Sequence, residues 1–250
     1  MIKLSSSLSF GGELEVPSDK SISHRSALLN SIANGKSKIL NYSNGEDCLS
    51  TLSVLKELGA NINLIPKENS YELDIESKGL NSLIESKKVL YAGNSGTTTR
   101  LLSGILAFSN FNSVLSGDNS LNSRPMKRII DPLMMMGAEI KSNNDCAPLE
   151  FRKSNLNGIK YNMDVASAQV KSCIILATLG ANSKSIITQP ALSRDHTERM
   201  LIPMGADIKV DANEIIISPG EINSIDIEVP GDISSAAFWI VAALIHPKGN

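Results

Sequence analysis

Charge of one sign and long apolar runs are both missing from this 250-residue sequence. The 24 Lys and Arg residues nearly balance the 26 Asp and Glu residues, which excludes a protein that binds nucleic acid or a membrane surface through bulk charge. The longest apolar run, residues 236–245, is half of the ~20 residues that a membrane-spanning helix needs, and residues 1–10 have no apolar signal core. We therefore expect a globular, cytoplasmic protein that binds no nucleic acid and no membrane.

Cysteine pairs and the common short catalytic motifs are also absent. Cys48, Cys146 and Cys173 stand far apart with no CxxC spacing, which argues against a disulfide framework or a zinc site. The patterns GxxxxGK[ST], GxSxG and HExxH do not occur, so the usual nucleotide, hydrolase and zinc-protease signatures are excluded. The three thiols are expected to be buried and unreactive.

What the sequence does contain is a unit that repeats. A Ser/Thr-rich cluster runs straight into an apolar helical stretch three times, at residues 18–33, 93–107 and 166–180. Each segment then predicts a strand, a second helix and two further strands with the period-2 pattern of half-buried strands. The sequence therefore predicts an α+β fold built from three copies of one unit.

A glycine follows the second helix of each predicted unit. Gly59, Gly137 and Gly205 stand where a helix C-cap is expected, directly before an alternating strand. A fourth opening at residues 230–245 leads into one more apolar helix, but no second helix follows it. This pattern predicts an exposed apolar patch and a chain that stops part-way through a further unit.

The Ser/Thr-rich openings have two possible functions. Their hydroxyls can cap the first helical turn, and their free backbone N–H groups, together with the helix dipole, can bind an anion. Cations accompany the three openings and the starts of two second helices, which favours a bound polyanion over capping alone. These cations are Lys20, Arg25, Arg100, Lys171, Arg124 and Arg194.

Two further polar residues are interpreted as structural and not as ligands or catalytic groups. Asp47 is expected to be the N-cap of a helix that begins at Cys48. His24 has no carboxylate three or four residues away, so we expect a packed histidine and not a general base.

Six segments in register resemble the successive motifs of the 5-enolpyruvylshikimate-3-phosphate synthase (3-phosphoshikimate 1-carboxyvinyltransferase) family. Their form, with GNSGTTTR, ASAQ and SRDHTE, is similar to the bacterial class that is often less sensitive to glyphosate. The segments span almost the whole chain, which makes the resemblance more specific than any one motif. They are PSDKSISHRS (17–26), YAGNSGTTTRLLSGILA (91–107), GDNSLNSRPMKR (117–128), ASAQVKSCIILA (166–177), SRDHTERML (193–201) and PGDISSAAF (230–238).

The resemblance implies roles for particular residues. Lys20, Ser21 and Arg25 are expected to bind shikimate-3-phosphate, and Lys20 also reaches phosphoenolpyruvate as the catalytic residue that bridges the two substrates. Asn94, Gly96 and Arg124 match the phosphoenolpyruvate site. Residues that match the shikimate phosphate site are Ser167, Ala168, Gln169 and Arg194, with Gln169 also facing phosphoenolpyruvate. No metal or organic cofactor is implied.

The implied reaction transfers the enolpyruvyl group of phosphoenolpyruvate to the 5-hydroxyl of shikimate-3-phosphate and releases phosphate, a step of the shikimate pathway towards chorismate and the aromatic amino acids. Members of the family are usually monomeric and place their acid–base carboxylates in the C-terminal part. The resemblance therefore implies that those carboxylates lie beyond residue 250, and that the chain by itself supplies one wall of the site and is inactive.

The implied fold is an enolpyruvyl transferase lobe, an inside-out α/β barrel of three βαβαββ-type units around a pseudo-threefold axis. Residues 20–232 are expected to form one complete lobe, whereas residues 1–19 and 233–250 belong to a second lobe that is mostly missing. Two alternatives remain open at this point. They are a non-catalytic module that binds phosphate esters and the enolpyruvyl transferase that acts on UDP-N-acetylglucosamine.

Overall fold

A computed structural model describes residues 11–246, which form eight helices and twelve strands. The first unit consists of α1 (Lys20–Asn30), β1 (Asn34–Ser43), α2 (Glu46–Glu57), β2 (Asn61–Pro66) and β3 (Ser70–Lys78). The second consists of β4 (Leu90–Tyr91), α3 (Gly96–Phe108), β5 (Ser113–Ser116), α4 (Asn119–Asn122), α5 (Lys127–Met135), β6 (Glu139–Asn143) and β7 (Cys146–Arg152). The third consists of β8 (Lys160–Asn162), α6 (Ala168–Leu179), β9 (Ser185–Thr188), α7 (His196–Leu201), β10 (Ile208–Asp211) and β11 (Glu214–Ile217). Strand β12 (Ile227–Glu228) and helix α8 (Ile233–Ile245) follow.

The strands form three four-stranded sheets with the same strand order. The orders are β12-β1-β3-β2, β4-β5-β7-β6 and β8-β9-β11-β10. In each sheet the first strand is parallel to its neighbour and the remaining pairs are antiparallel. The predicted threefold repeat of an α+β unit is confirmed.

Strand β12 completes the sheet of the first unit, although it comes from the other end of the described chain. Ile227 of β12 lies opposite Ile39 of β1 in a parallel pair. The last strand of the described chain therefore shares a sheet with the first strand, which connects the end of the third unit back to the first unit. Among residues 11–246 no strand pairing joins one sheet to the next, so the sheets themselves are not closed into a barrel of strands. The expected α/β lobe of three units is confirmed.

The predicted glycine caps are confirmed at Gly59 and Gly137, which directly follow the C-caps of α2 and α5, whereas Gly205 closes a turn four residues after the end of α7. Gly59, Gly137 and Gly205 have φ values of +79°, +103° and +86°, the left-handed region that costs glycine little and other residues more. The sequence signal was reliable because a helix C-cap is a local feature, decided by the backbone of a few consecutive residues.

Helices α3 and α6 lie at the centre of the molecule, and almost every residue of both is buried. Their backbones approach closely at Gly104, where an added Cβ would lie 2.3 Å from the carbonyl oxygen of Cys173. Only a residue without a side chain allows this contact. Because the two helices are packed side by side along their length, their N-termini end up next to each other.

Two chain segments run side by side at the edge of this assembly. The backbone N–H of Asp19 donates to the carbonyl of Pro230 (2.8 Å), and the N–H of Asp232 donates to the carbonyl of Pro17 (2.8 Å). The lobe boundaries expected at residues 19 and 232 both lie in these two segments. Of the expected second lobe, residues 1–10 and 247–250 lie outside the described residues.

Helix α8 has no buried residue. Phe238 is 80% exposed and Leu244 is 79% exposed. The exposed apolar patch predicted from the fourth opening is therefore present. Within residues 11–246, none of the helices has the length and apolar character required to cross a bilayer.

Candidate functional site

The first helices of the three units bring their capped N-termini together. Asp19, Ser95 and Ser167 are the N-caps of α1, α3 and α6, and each side chain accepts a hydrogen bond from a backbone N–H of the first turn. Gln169 Nε2 of α6 donates to Thr97 Oγ1 of α3 (3.1 Å). The remaining N–H groups and the positive ends of the helix dipoles make this a region suited to anions.

Lys20 is the first residue of α1, a position where the helix dipole disfavours a cation. Its ammonium lies 2.5 Å from Asp47 Oδ2, and about half of its side chain is exposed. The backbone carbonyl of Asp47 in turn accepts a hydrogen bond from Thr98 of α3 (3.3 Å). Asp47 therefore connects the first unit to the second and holds the Lys20 ammonium at the surface.

Arg124 and Asn94 form a polar pair beside the N-terminus of α3. Arg124 Nη2 donates to Asn94 Oδ1, and Asn94 Nδ2 donates to Asp118 Oδ2 (2.7 Å). Gly96 lies below this pair, and a Cβ at Gly96 would lie 3.4 Å from Arg124 Nη1. The three residues that the resemblance assigned to one ligand thus lie close together.

Arg100 joins this group to α6. Its Nη1 donates to Gln169 Oε1 (3.0 Å), and a Cβ at Gly96 would lie 2.9 Å from the same nitrogen. Burial, and then repulsion from Arg128 and Arg124, lower the pKa of Arg100 to about 10, so the guanidinium remains charged at neutral pH. These three arginines form no ion pair with a carboxylate in the described part of the chain. The positive charge is left for a bound anion.

Arg25 lies deeper than expected for a substrate ligand, with only 3% of the residue exposed. Its Nε donates to Thr197 Oγ1 (2.7 Å), Nη2 donates to Ser172 Oγ (2.9 Å) and Nη1 donates to the Ser21 carbonyl (2.9 Å). Burial lowers its pKa to about 10, partly offset by the charge of Glu198. Arg25 therefore links α1 to α6 and α7 at the base of the site.

The third opening differs from the prediction in one respect. Lys171, taken from the sequence as a cation that accompanies this opening, is 1% exposed and lies 2.6 Å from Glu198 Oε1. Its charge is matched inside the protein, so it is not available to a bound anion. Ser167 and Ala168 remain half-exposed at the start of α6.

Arg194 is exposed, and after burial, repulsion from its charge contributes to the lowered pKa of Arg25. Arg194 Nη2 donates to Ser234 Oγ of α8 (3.1 Å), and no hydrogen bond joins it to α1, α3 or α6 in the described residues. The structure thus places Lys20, Asn94, Gly96, Arg124 and Gln169 in one network of contacts with Asp47 and Arg100, and leaves Arg194 at its edge.

Asp47 was not predicted to be a site residue, and Arg100 was predicted only as a cation beside the second opening, not as a substrate ligand. Asp47 was expected to cap a helix at Cys48, but α2 begins at Glu46 and its N-cap is Gly45. Asp47 is therefore inside the first turn, where its carboxylate is free to pair with Lys20. In the sequence, Asp47 is only an acidic residue near a predicted helix start, and Arg100 is only an arginine near the start of an apolar helix. Neither signal identifies the side chain that the residue contacts.

His24, Cys48 and Cys173 are not placed to act as a base or a nucleophile. His24 is fully buried, its Nδ1 lies 2.7 Å from Thr51 Oγ1, and burial lowers its pKa to about 3, which confirms the packed histidine. Cys48 and Cys173 are buried, and burial raises the pKa of both thiols, whereas Cys146 is half-buried, contrary to expectation. No group of three metal-ligating side chains occurs in residues 11–246.

A family model described as EPSP synthase (3-phosphoshikimate 1-carboxyvinyltransferase) matches residues 5–250. The chain belongs to the EPSP synthase family. It is 50% identical over 238 residues to 3-phosphoshikimate 1-carboxyvinyltransferase from Coxiella burnetii (strain CbuG_Q212), covering 94% of this chain and 54% of that protein. It is 47% identical over 251 residues to the protein of the same name from Syntrophomonas wolfei, covering 99% of this chain and 58% of the relative.

Solved structures of the family agree with the fold. EPSP synthase from Acinetobacter baumannii superposes with a TM-score of 0.87 at 43% sequence identity, over 94% of this chain and 53% of that one. The chain thus spans about half the length of the EPSP synthase relatives it matches, and the three units correspond to that half.

Proposed function

We propose that this chain supplies one wall of the active site of a 3-phosphoshikimate 1-carboxyvinyltransferase, which transfers the enolpyruvyl group of phosphoenolpyruvate to shikimate-3-phosphate. The observation that carries the proposal is the network in which Arg100 and Gln169 join the N-termini of α3 and α6 beside Arg124. Three neighbouring arginines without a carboxylate partner, next to helix N-termini, suit substrates that carry two phosphates and a carboxylate.

We assign the two substrates to neighbouring parts of this network. Asn94, Gly96 and Arg124 bind phosphoenolpyruvate. Residues that bind shikimate-3-phosphate are Ser21, Arg25, Ser167, Ala168, Gln169 and Arg194. Lys20 lies where the two sets meet, and its ammonium leaves Asp47 to contact both substrates. The family membership and the short distances between the α3 and α6 residues support the assignment.

The chemistry requires charge neutralisation and proton transfer. The 5-hydroxyl gives its proton to a base as its oxygen adds to C2 of phosphoenolpyruvate and an acid protonates C3; loss of phosphate from C2 and of one proton from C3 then restores the double bond. The cations of this chain stabilise the negative charge on both phosphates throughout. The two carboxylates in this network are held by neighbouring side chains, Asp47 by Lys20 and Asp118 by Asn94. We therefore infer that the acid–base carboxylates belong to the part of the relatives that this chain does not span.

We further propose that residues 20–232 form one lobe and that residues 1–19 and 233–250 belong to the other. The paired segments at Asp19 and Asp232 support a boundary there, because both chain crossings occur at one place. Substrate would then bind in the cleft between lobes. Cytoplasmic location and a monomeric enzyme stay predictions.

The experiment combines binding with turnover. Calorimetry of the 250-residue chain with shikimate-3-phosphate should show binding at low salt, and an enolpyruvyl-transfer assay should show no turnover. A chimera that joins this chain to the remaining part of the Coxiella burnetii relative should then be active, and Arg124→Ala in the chimera should abolish most of that activity. Binding with an inactive chimera would favour a non-catalytic phosphate-ester module, and absence of binding would contradict the proposal.

A further inference from the structure

A buried ion pair lies beneath the proposed shikimate-3-phosphate site. Lys171 of α6 is 1% exposed, Glu198 of α7 is 2% exposed, and their charged atoms lie 2.6 Å apart. Both oxygens of this carboxylate are buried and, among residues 11–246, neither accepts a well-aligned hydrogen bond, so Lys171 holds Glu198 as an ion pair. The carboxylate is therefore held by one ammonium and by the field of nearby cations.

Stability does not explain this pair. Removing two charges from water costs so much that well-packed apolar residues in the same place are often equally or more stable. The stretch of α6 that follows Lys171 is apolar and completely buried at Cys173, Ile174 and Ile175. A pair of this kind is better explained by the geometry that it imposes on its neighbours.

The residues next to Lys171 and Glu198 in the chain are the ones that hold Arg25. Ser172 follows Lys171 in the chain, and Thr197 precedes Glu198. Both hydroxyls accept hydrogen bonds from Arg25, and they lie 2.7 Å from each other. The ion pair thus fixes the distance between α6 and α7 at the point where both helices contact the guanidinium of α1.

The same pair acts on the start of α6. Ser172 Oγ donates to the carbonyl of Ala168 (2.6 Å), one turn before it. A shift of α6 relative to α7 would therefore move Ala168 and Gln169 as well as Arg25. The negative charges of Glu198 and Asp19 also raise the pKa of Arg25, whereas the positive charge of Arg194 lowers it.

The first unit contains a similar connection at the surface. There a lysine of the first helix, Lys20, pairs with an acid of the second helix, Asp47, and about half of the lysine is exposed. In the third unit the corresponding connection is buried, which suits a fixed support and not a group that contacts a ligand.

We propose that Glu198, acting through Lys171, is a positioning residue for the anion site. It holds the Arg25 guanidinium and the N-terminus of α6 at the separation that shikimate-3-phosphate requires. This inference deepens the proposed function and rests on it for the identity of the ligand.

The test compares Glu198→Gln with a matched control, Glu57→Gln, in the 250-residue chain. Glu57 pairs with Lys88 on the surface at 3.0 Å, far from the site. We expect Glu198→Gln to weaken binding of shikimate-3-phosphate about tenfold, the loss typical of removing an orienting partner at metal sites. The control should leave affinity unchanged. Equal affinity of Glu198→Gln and the original chain would overturn the proposal.

A second readout does not depend on the ligand. The Arg25 Nε–H donates to Thr197 inside the protein, so nitrogen-15 NMR should show slow hydrogen exchange at this group, and Glu198→Gln should accelerate it at least several-fold. Unchanged exchange would contradict the positioning role even if the original chain failed to bind shikimate-3-phosphate. That failure would in turn count against the proposed function alone.

A double variant separates positioning from folding. Glu198→Leu combined with Lys171→Met removes both charges and should recover the thermal midpoint that Glu198→Gln loses. We expect this stable variant to keep weak binding and fast Arg25 exchange. Recovery of both affinity and slow exchange in the double variant would show that the pair serves stability only.

Discussion

At the residue scale, burial decides which charged and polar groups can serve the site. Arg100 and Arg124 keep nitrogens directed to the space around Gly96, whereas the charge of Lys171 is matched by Glu198 inside the protein. The sequence presents all of these cations alike. Only their surroundings separate the ligand-binding groups from the structural ones.

Gly96→Ala tests the space between Arg100 and Arg124. The new methyl would lie 2.9 Å from Arg100 Nη1, the mobile end of a side chain, so the arginine can move aside. Because the arginine end can move, we expect a loss of unfolding free energy at the low end of the range for overpacking, about 1 kcal/mol. The KM for phosphoenolpyruvate of the Coxiella chimera should rise, while the KM for shikimate-3-phosphate changes less. An equal rise of both values would contradict separate subsites.

His24 predicts a pH dependence of stability. Its pKa is lowered to about 3 in the folded chain from 6.5, so the unfolded chain binds more protons between these values. The unfolding free energy should therefore fall as pH falls from 6.5 towards 3, with a slope of up to about 1.4 kcal/mol per pH unit from this group.

The check is urea unfolding at several pH values for His24→Gln, which should flatten the slope. His196→Gln is the matched control. His196 is half-buried, and burial lowers its pKa in the same direction, so its substitution should have a smaller effect on the slope. A slope that is the same in the original chain and in His24→Gln would exclude His24 as the source.

At the element scale, the approach of α3 and α6 places two anion-binding helix ends together. The contact is possible because Gly104 has no side chain, and the hydrogen bond from Gln169 to Thr97 depends on it. Helix propensity alone would favour alanine at position 104. The packing requirement prevails because the clash is with backbone, which cannot move aside locally.

Gly104→Ala is therefore expected to destabilise the chain. Overpacking of this kind costs about 1–3 kcal/mol of unfolding free energy, even after the gain in helix propensity. Denaturant unfolding measures the loss. Gly45→Ala serves as control, because a Cβ there meets only Ser43 Oγ at 3.4 Å and the N-cap change costs less, about 1 kcal/mol at most. A Gly104→Ala variant as stable as the original would mean that α3 and α6 can separate freely.

At the scale of the whole molecule, three sheets surround the central helices, and β12 returns to complete the first sheet. Helix α8 lies outside this arrangement with its apolar residues exposed. A surface of this type binds other apolar groups, because burying each such side chain is favourable by about 1.5–3 kcal/mol.

The chain is expected to bind a hydrophobic dye and to associate at high concentration through α8. Phe238→Ser combined with Leu244→Ser should lower both the dye fluorescence and the association seen in sedimentation velocity. The unfolding free energy should change little, because both side chains are at least 79% exposed. Unchanged dye binding in this variant would place the exposed apolar surface elsewhere.

Sequence alone determined the parts of this protein that are local. Gly59 and Gly137 marked the ends of α2 and α5, Gly205 marked the turn that follows α7, and the alternating segments marked most strands, since these signals arise within a few consecutive residues. The short strands β4, β8 and β12 carry only two or three residues each, too few for a periodic pattern to identify them.

Only the tertiary structure decided which charged and polar side chains meet. Asp47 pairs with Lys20, Arg100 with Gln169, and Lys171 with Glu198, and the partners of each pair lie on different helices. The sequence contains each residue but not the distance between them. That distance is set by how closely the helices pack, for Arg100 and Gln169 by the close approach of α3 and α6 at Gly104, so these residues become a site only when the core is assembled.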